Sequence, residues 1–155
     1  MKIIVDADAC PRTVLAFIRQ KQALLDYGLL TVSSFNHAHG DPGHLFVGDE
    51  DQAADIAIIN RSERGDIVVT QDWGLAAMAI GRGAAAISPD GRVFTWQNMD
   101  FLLEERHLKA KFRRGGGRTR GPSARTKEDD QRFEKAFLDL ARNTKCEVSG
   151  ERREP

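Results

Sequence analysis

Apolar positions along this chain come in blocks that switch between two periods: the short continuous runs of buried strands and the three-to-four spacing of helices. Residues 2–6 (KIIVD) are β-branched and apolar enough for a buried strand, and Pro11 suits the first turn of a helix that follows. From 11 to 27, Val14, Leu15, Phe17, Ile18, Leu24 and Leu25 make a broad apolar face, with Gly28 as the expected stop. Residues 29–35 predict a second strand, 37–43 (HAHGDPG) a turn-rich loop, and 44–47 a short third strand. A helix opening at Gly48 and Asp49 and ending near Arg64 and Gly65 has Ala53, Ala54, Ile56, Ala57, Ile58 and Ile59 as its apolar residues. Residues 66–70 (DIVVT) read as the clearest buried strand, continuous rather than alternating, as parallel sheets require.

The second half continues the alternation. Residues 73–80 predict a small-residue helix closed by Gly81 and Gly83, 84–88 a strand, and Pro89-Asp90-Gly91 a turn. A helix over 97–107 leads into an irregular Gly/Arg-rich segment at 109–125. Thr126 caps a last helix reaching about residue 141, with Asp129 in the third position of a capping box. Residues 142–155 are polar and predict a disordered tail. Repeated strand–helix units imply a mainly parallel sheet covered on both faces, a three-layer α/β/α sandwich. Residues 1–141 read as one domain, with the part beyond about 108 either packed into it or extended as an arm.

Composition narrows the class. Apolar residues make up 41% and charged residues 30% of 155 positions, the balance of a soluble globular domain. No apolar run approaches the roughly 18 residues of a membrane span. Asp6 and Asp8 interrupt any secretory apolar stretch behind Met1. Two cysteines, Cys10 and Cys146, make no disulfide framework and suit a reducing cytoplasm. The net charge of zero hides an imbalance: residues 106–127 hold nine of the 23 Lys and Arg and none of the 23 Asp and Glu. The rest of the chain is therefore acidic, and the basic strip is a candidate footprint for phosphate-rich partners.

Acids recur at strand ends. Asp6 and Asp8 close the first strand, where open α/β sheets place ligands, and Asp72 follows the DIVVT strand in the same way. Asp51 and Asp55 are spaced to share one helix face, where like charges destabilise an isolated helix by a few tenths of a kcal/mol. If Asp6, Asp8, Asp55 and Asp72 converge, they offer an all-oxygen site for Mg²⁺ or Mn²⁺, able to activate water and stabilise charge developing on phosphorus. Each acid alone has a plainer reading: Asp8 or Asp72 as a helix N-cap, and Asp49 to Asp51 as a solvated first turn. Asp66 is most simply a turn residue before its strand.

These segments carry a resemblance. VDADACP at 5–11, D-x-x-x-D-I-x-I at 51–58, GDIVVTQDWGLA at 65–76 and GGRTRGPSARTKED at 116–129 resemble the bacterial YaiI/YqxD family over roughly residues 1–141. That family is similar to PIN-domain proteins, whose fold is a parallel α/β/α sandwich and whose active members are metal-dependent ribonucleases. The resemblance implies that Asp6, Asp55 and Asp72 take the PIN acidic positions, with Asp8 an additional acid and Asp51 an outer-shell acid. It implies a Mg²⁺- or Mn²⁺-dependent nuclease or phosphodiesterase acting on RNA or another phosphate-containing substrate.

The basic segment is not a PIN feature. Glycine lets a backbone approach phosphate and arginine offers it a bidentate fork, so Arg118, Arg120 and Arg125 are the expected phosphate contacts. The alternative is a solvated loop or a strap held by the protein's own acids. Cys10 with His37, His39 or His44 as base would make a nucleophile, but cysteine before Pro11 also fits a helix entrance. The H-x-H at 37–39 lacks softer ligands nearby, and Trp73 and Trp96 suit the core or a pocket rim. Two rival functions remain: a haloacid-dehalogenase-like phosphatase with Asp6 as nucleophile, and a non-catalytic RNA-binding protein. The phosphatase chemistry asks for a lysine before the last acidic motif, and no lysine lies between Lys21 and Lys109.

Overall fold

The computed structural model describes residues 1–34, 42–48, 50, 52–118 and 123–150. Among the described residues six strands form one sheet: β1 (Lys2–Asp6), β2 (Gly28–Ser33), β3 (His44–Phe46), β4 (Ile67–Val69), β5 (Ala85–Ile87) and β6 (Val93–Phe94). Their order is β3-β2-β1-β4-β5-β6, parallel throughout except for antiparallel β6 at one edge. The helices among the described residues that cover it are α1 (Arg12–Leu25), α2 (Ala53–Arg61), α3 (Trp73–Gly81), α4 (Trp96–Arg114) and α5 (Lys127–Val148).

The pleat sorts the core into two faces. Ile3, Val5, Ile67, Val69 and Ile87 point to one side, where they meet Val14 and Ile18 of α1 and Phe133 and Phe137 of α5. Ile4, Val32 and Val68 point to the other, against Ala54 and Ile58 of α2 and Leu75 and Ala79 of α3. Ala86, Phe94 and Leu102 extend that second layer towards α4. The result is the expected three-layer α/β/α sandwich. The chain after residue 108 does not stand apart as an arm, because α5 seals one whole face. Phe133, Phe137 and Ala141 are fully or almost fully buried at helical spacing, and Phe133 stacks on Phe137 at 5.5 Å.

Several boundaries move. The first helix stops at Asp26, which takes the left-handed conformation (φ 49°), while Gly28 already belongs to β2. The two-residue strand β6 falls where the pattern shows only a turn and a linker. The helix expected over 97–107 runs on to Arg114, so Lys109, Lys111, Arg113 and Arg114 are helical rather than part of an irregular loop. α5 likewise continues past 141 to Val148, through what reads as a polar tail. The predicted capping box forms: Thr126 Oγ1 accepts from Asp129 N, and Thr126 N donates to Asp129 Oδ2 at 2.8 Å. The loop residues 37–41, with His37 and His39, lie outside the described residues, as does the end of the tail at 151–155.

Candidate acidic site and adjoining cleft

Every parallel strand delivers its carboxyl end to the same edge, and the following helices begin there. Asp6 is the last residue of β1 and shares the pleat face of Ile4, so it stands over the ends of α2 and α3. Asp55 lies in the first turn of α2 and Asp72 is the N-cap of α3, both positions where a helix dipole favours negative charge. Asp72 Oδ1 accepts from Leu75 N at 2.8 Å, so the N-cap reading of Asp72 holds. That bond uses one carboxylate oxygen.

Thr70 ties the two strand ends together. Its hydroxyl donates to Asp6 Oδ2 at 3.1 Å and accepts from Asp72 N at 3.0 Å. Asp8, in the turn after β1, is held from another direction: Ser34 N donates to Asp8 Oδ2 at 2.8 Å, and the Ser34 hydroxyl donates to the same oxygen. Asp8 is therefore anchored to the end of β2 rather than capping α1, whose N-cap is Pro11 with no side-chain bond.

The charges of these carboxylates bear on one another. Burial pushes the Asp6 carboxyl up to about 6; the Thr70 hydrogen bond opposes the rise, while the charges of Asp55, Asp8 and Asp72 add to it. Asp55 is also raised, by burial first and by Asp72 second. The donor chemistry, carboxylates with one hydroxyl among them, fits a hard cation. Among the described residues, however, no group of three or more Asp, Glu, His or Cys side chains is already arranged to hold an ion. The four acids are neighbours in charge without forming a closed ligand cage.

Other expected residues fall elsewhere. α2 begins at Ala53 rather than at Gly48, and Asp51, expected to share a helix face with Asp55, lies outside the described residues. Asp66 is buried at the opposite edge of the sheet, as a turn residue bonded to Lys2 N and Glu63 N. Burial pushes the Cys10 thiol up to about 12, with the Asp6 charge adding to the rise, which argues against a nucleophilic thiolate. His44 is occupied by Thr31 and Ser33 hydroxyls at 2.7 and 3.0 Å, a structural role. Trp96 is largely exposed.

Beside the acids, at the same edge, opens a cleft of about 520 Å³ between the start of α5 and the ends of β4 and β5. Arg125 lines it, as the sequence suggests for a phosphate contact, whereas Arg118 does not and Arg120 lies outside the described residues. Trp73 forms part of its rim, edge-on to Phe94 at 5.9 Å. Arg92, Arg132 and Ser88 also line it, and the sequence reading missed all three. The signal available for Ser88 and Arg92 was the turn SPDGR behind a parallel strand, the same position that made Asp72 conspicuous.

Gly91 shapes the cleft. Its φ is +88°, and a Cβ there would come within 2.8 Å of the Arg132 backbone. Only glycine combines that conformation with so close an approach, so the turn after β5 sits directly on α5.

Fold and site together define a parallel-sheet α/β/α protein with a carboxylate cluster and an arginine-lined cleft at the carboxyl edge. The chain belongs to the YaiI/YqxD family, whose model, described as that of an uncharacterised bacterial family, matches residues 4–143. A UPF0178 protein of Heliobacterium modesticaldum is 49% identical over 142 residues, covering 92% of this chain and 97% of that one. Similar proteins, also named UPF0178, occur in Exiguobacterium sibiricum (45% identical; 90% and 96% covered) and Ruminiclostridium cellulolyticum (44%; 89% and 90%). No solved structure matches the chain.

Proposed function

We propose that this protein is a PIN-like, Mg²⁺- or Mn²⁺-dependent phosphodiesterase acting on RNA. The observation that carries the reading is the convergence of the Asp8, Asp55 and Asp72 charges on a partly buried Asp6. Those four acids would hold the ion. When bound, it would supply Lewis acidity towards a phosphodiester and lower the pKa of water. Asp6 carries a proton at mildly acid pH and must surrender it to ligate, so ion binding is coupled to proton release. Thr70 holds the Asp6 carboxylate, Leu75 N that of Asp72 and Ser34 that of Asp8, which keeps one oxygen of each in place while the others adjust. Basic residues along the end of α4 and at Arg125 favour a polyanionic strand near the acids. Two free cysteines suit the cytoplasm as its compartment, and no helix among the described residues is long and apolar enough to cross a membrane.

The phosphatase alternative needs Asp6 as an ionised nucleophile. Burial and three neighbouring carboxylates work against that, and no lysine of the chain falls between Lys21 and Lys109 to offset them. The test is incubation of purified protein with a mixed RNA pool, with Mn²⁺, with Mg²⁺ and with EDTA. Cleavage should require the ion and fall at least 100-fold in Asp6→Asn and in Asp72→Asn, roughly 3 kcal/mol of transition-state stabilisation. Equal cleavage by wild type and Asp6→Asn removes the assignment. Ion-independent RNA binding without cleavage by wild type points to the non-catalytic alternative.

A further inference from the structure

The cleft beside the acids has donors that the fold leaves uncommitted. Arg125 gives its Nε to Asp130 Oδ1 at 2.6 Å, and Thr13 holds the same oxygen at 2.9 Å. The Nη2 of Arg125 is buried and has no hydrogen-bond partner among the described residues. A buried guanidinium nitrogen without an acceptor costs free energy, and the guanidinium that carries it belongs to a residue lining the cleft. Arg92 is exposed at the mouth and makes no ion pair among the described residues. The carboxylates nearby are already engaged: Asp129 accepts from Thr126 and pairs with Arg132, and Asp90 accepts from the Ser88 hydroxyl. Arg125 is shared with Asp130, and its charge also reaches Asp129, as the charge of Arg92 reaches Glu105, so an anion in the cleft would share the two arginines with these carboxylates.

Size and shape say what kind of anion fits. About 520 Å³ is far more than one phosphate group fills, and lies in the range of sites for small organic ligands. Trp73, set edge-on to Phe94, brings an aromatic side chain to the cleft on which a base could stack, and Ser123 supplies a hydroxyl. The cleft also adjoins the acids. Gln71 and Trp73 line it and flank Asp72 in sequence, and the Cys10 thiol feels the charges of both Asp6 and Arg125.

We infer that this cleft receives the terminal nucleotide of a nucleic-acid strand and clasps its phosphomonoester between Arg92 and Arg125, so that the acids act next to a phosphorylated end. The inference rests on reading the acids as a phosphodiesterase site, and it names the substrate class of that site. A terminal monoester carries about one more negative charge than an internal diester, and a bidentate arginine rewards it.

The test measures binding with no metal present, by fluorescence anisotropy in EDTA. It uses three labelled RNA strands of one sequence, with a 5′-phosphate, a 3′-phosphate or hydroxyls at both ends. One phosphorylated strand should bind at least tenfold more tightly than the hydroxyl-ended strand, and a nucleoside monophosphate should compete for it. In Arg92→Gln, an exposed position whose loss leaves the core untouched, that preference should fall to less than about threefold. Arg125→Gln should act in the same way, with circular dichroism confirming its fold. Equal affinity for all three strands, or a preference unchanged in both variants, overturns the inference. A preserved end preference with no ion-dependent cleavage overturns the phosphodiesterase reading instead and leaves the cleft assignment standing.

Discussion

Asp66 and Asp6 are two aspartates of one sheet, at opposite ends of neighbouring strands, and the chain treats them differently. Asp66, 3% exposed, accepts at Oδ1 from Lys2 N at 2.7 Å and at Oδ2 from Glu63 N at 3.0 Å, with Lys2 Nζ 3.4 Å from the same Oδ2. Its charge is buried and answered. Asp6 receives one threonine hydroxyl and faces three other carboxylates, and its carboxyl is pushed up to about 6. The amino edge of the sheet is built to be stable. The carboxyl edge tolerates repulsion that the fold does not relieve, the usual mark of an edge kept for binding.

The largest effect that would break this contrast is at the amino edge. Asp66→Ala should cost about 2–4 kcal/mol, because it leaves two backbone N–H groups unanswered and strips the Lys2 ammonium of its buried partner. Chemical denaturation followed by circular dichroism measures this, and a loss under about 0.5 kcal/mol would contradict the structural role.

A smaller effect of opposite sign is expected at the carboxyl edge. The carboxyl of Asp6 is raised from 3.8 to about 6. Its contribution to stability is therefore fully present below about pH 3.8 and is lost as pH rises through about 6. Asp6→Asn carries no such titration. Without metal, it should be more stable than wild type by about 1–2 kcal/mol near pH 8, and the gap should close towards pH 4. Thermal melts across that range check the sign. A variant less stable than wild type at the higher pH would show that Asp6 is not held against repulsion.

How much of this was legible in the sequence follows from the physics of each part. Continuous β-branched runs located β1 and β4 closely, and with them the strand-end positions of Asp6 and Asp72. The Thr126–Asp129 box located the start of α5, because side-chain capping is a local interaction. The end of α5 was hidden by polar Thr144, buried at the next helical turn after Ala141, which breaks the apolar period. The far end of α4 was hidden because its last turns are basic and solvent-facing, so no apolar stripe marks them. β6 is two residues long and depends on pairing with β5, a tertiary fact. Arg92 and Arg132 were invisible as cleft residues for the same reason: the contact of Gly91 with α5 that brings the β5 turn against that helix is tertiary. Asp55 was legible as an acid among apolar neighbours, whereas the start of α2 at Ala53 was not, because no side-chain cap marks it.

The central claim, that the carboxyl edge takes up a divalent cation, is tested most directly by titrating Mn²⁺ into the protein and following the free ion by electron paramagnetic resonance. The account predicts one or two ions bound near pH 7.5, at least tenfold weaker binding near pH 5 where Asp6 holds its proton, and loss of the tightest site in Asp6→Asn. Binding of equal strength in wild type and Asp6→Asn, unchanged between those two pH values, would contradict it.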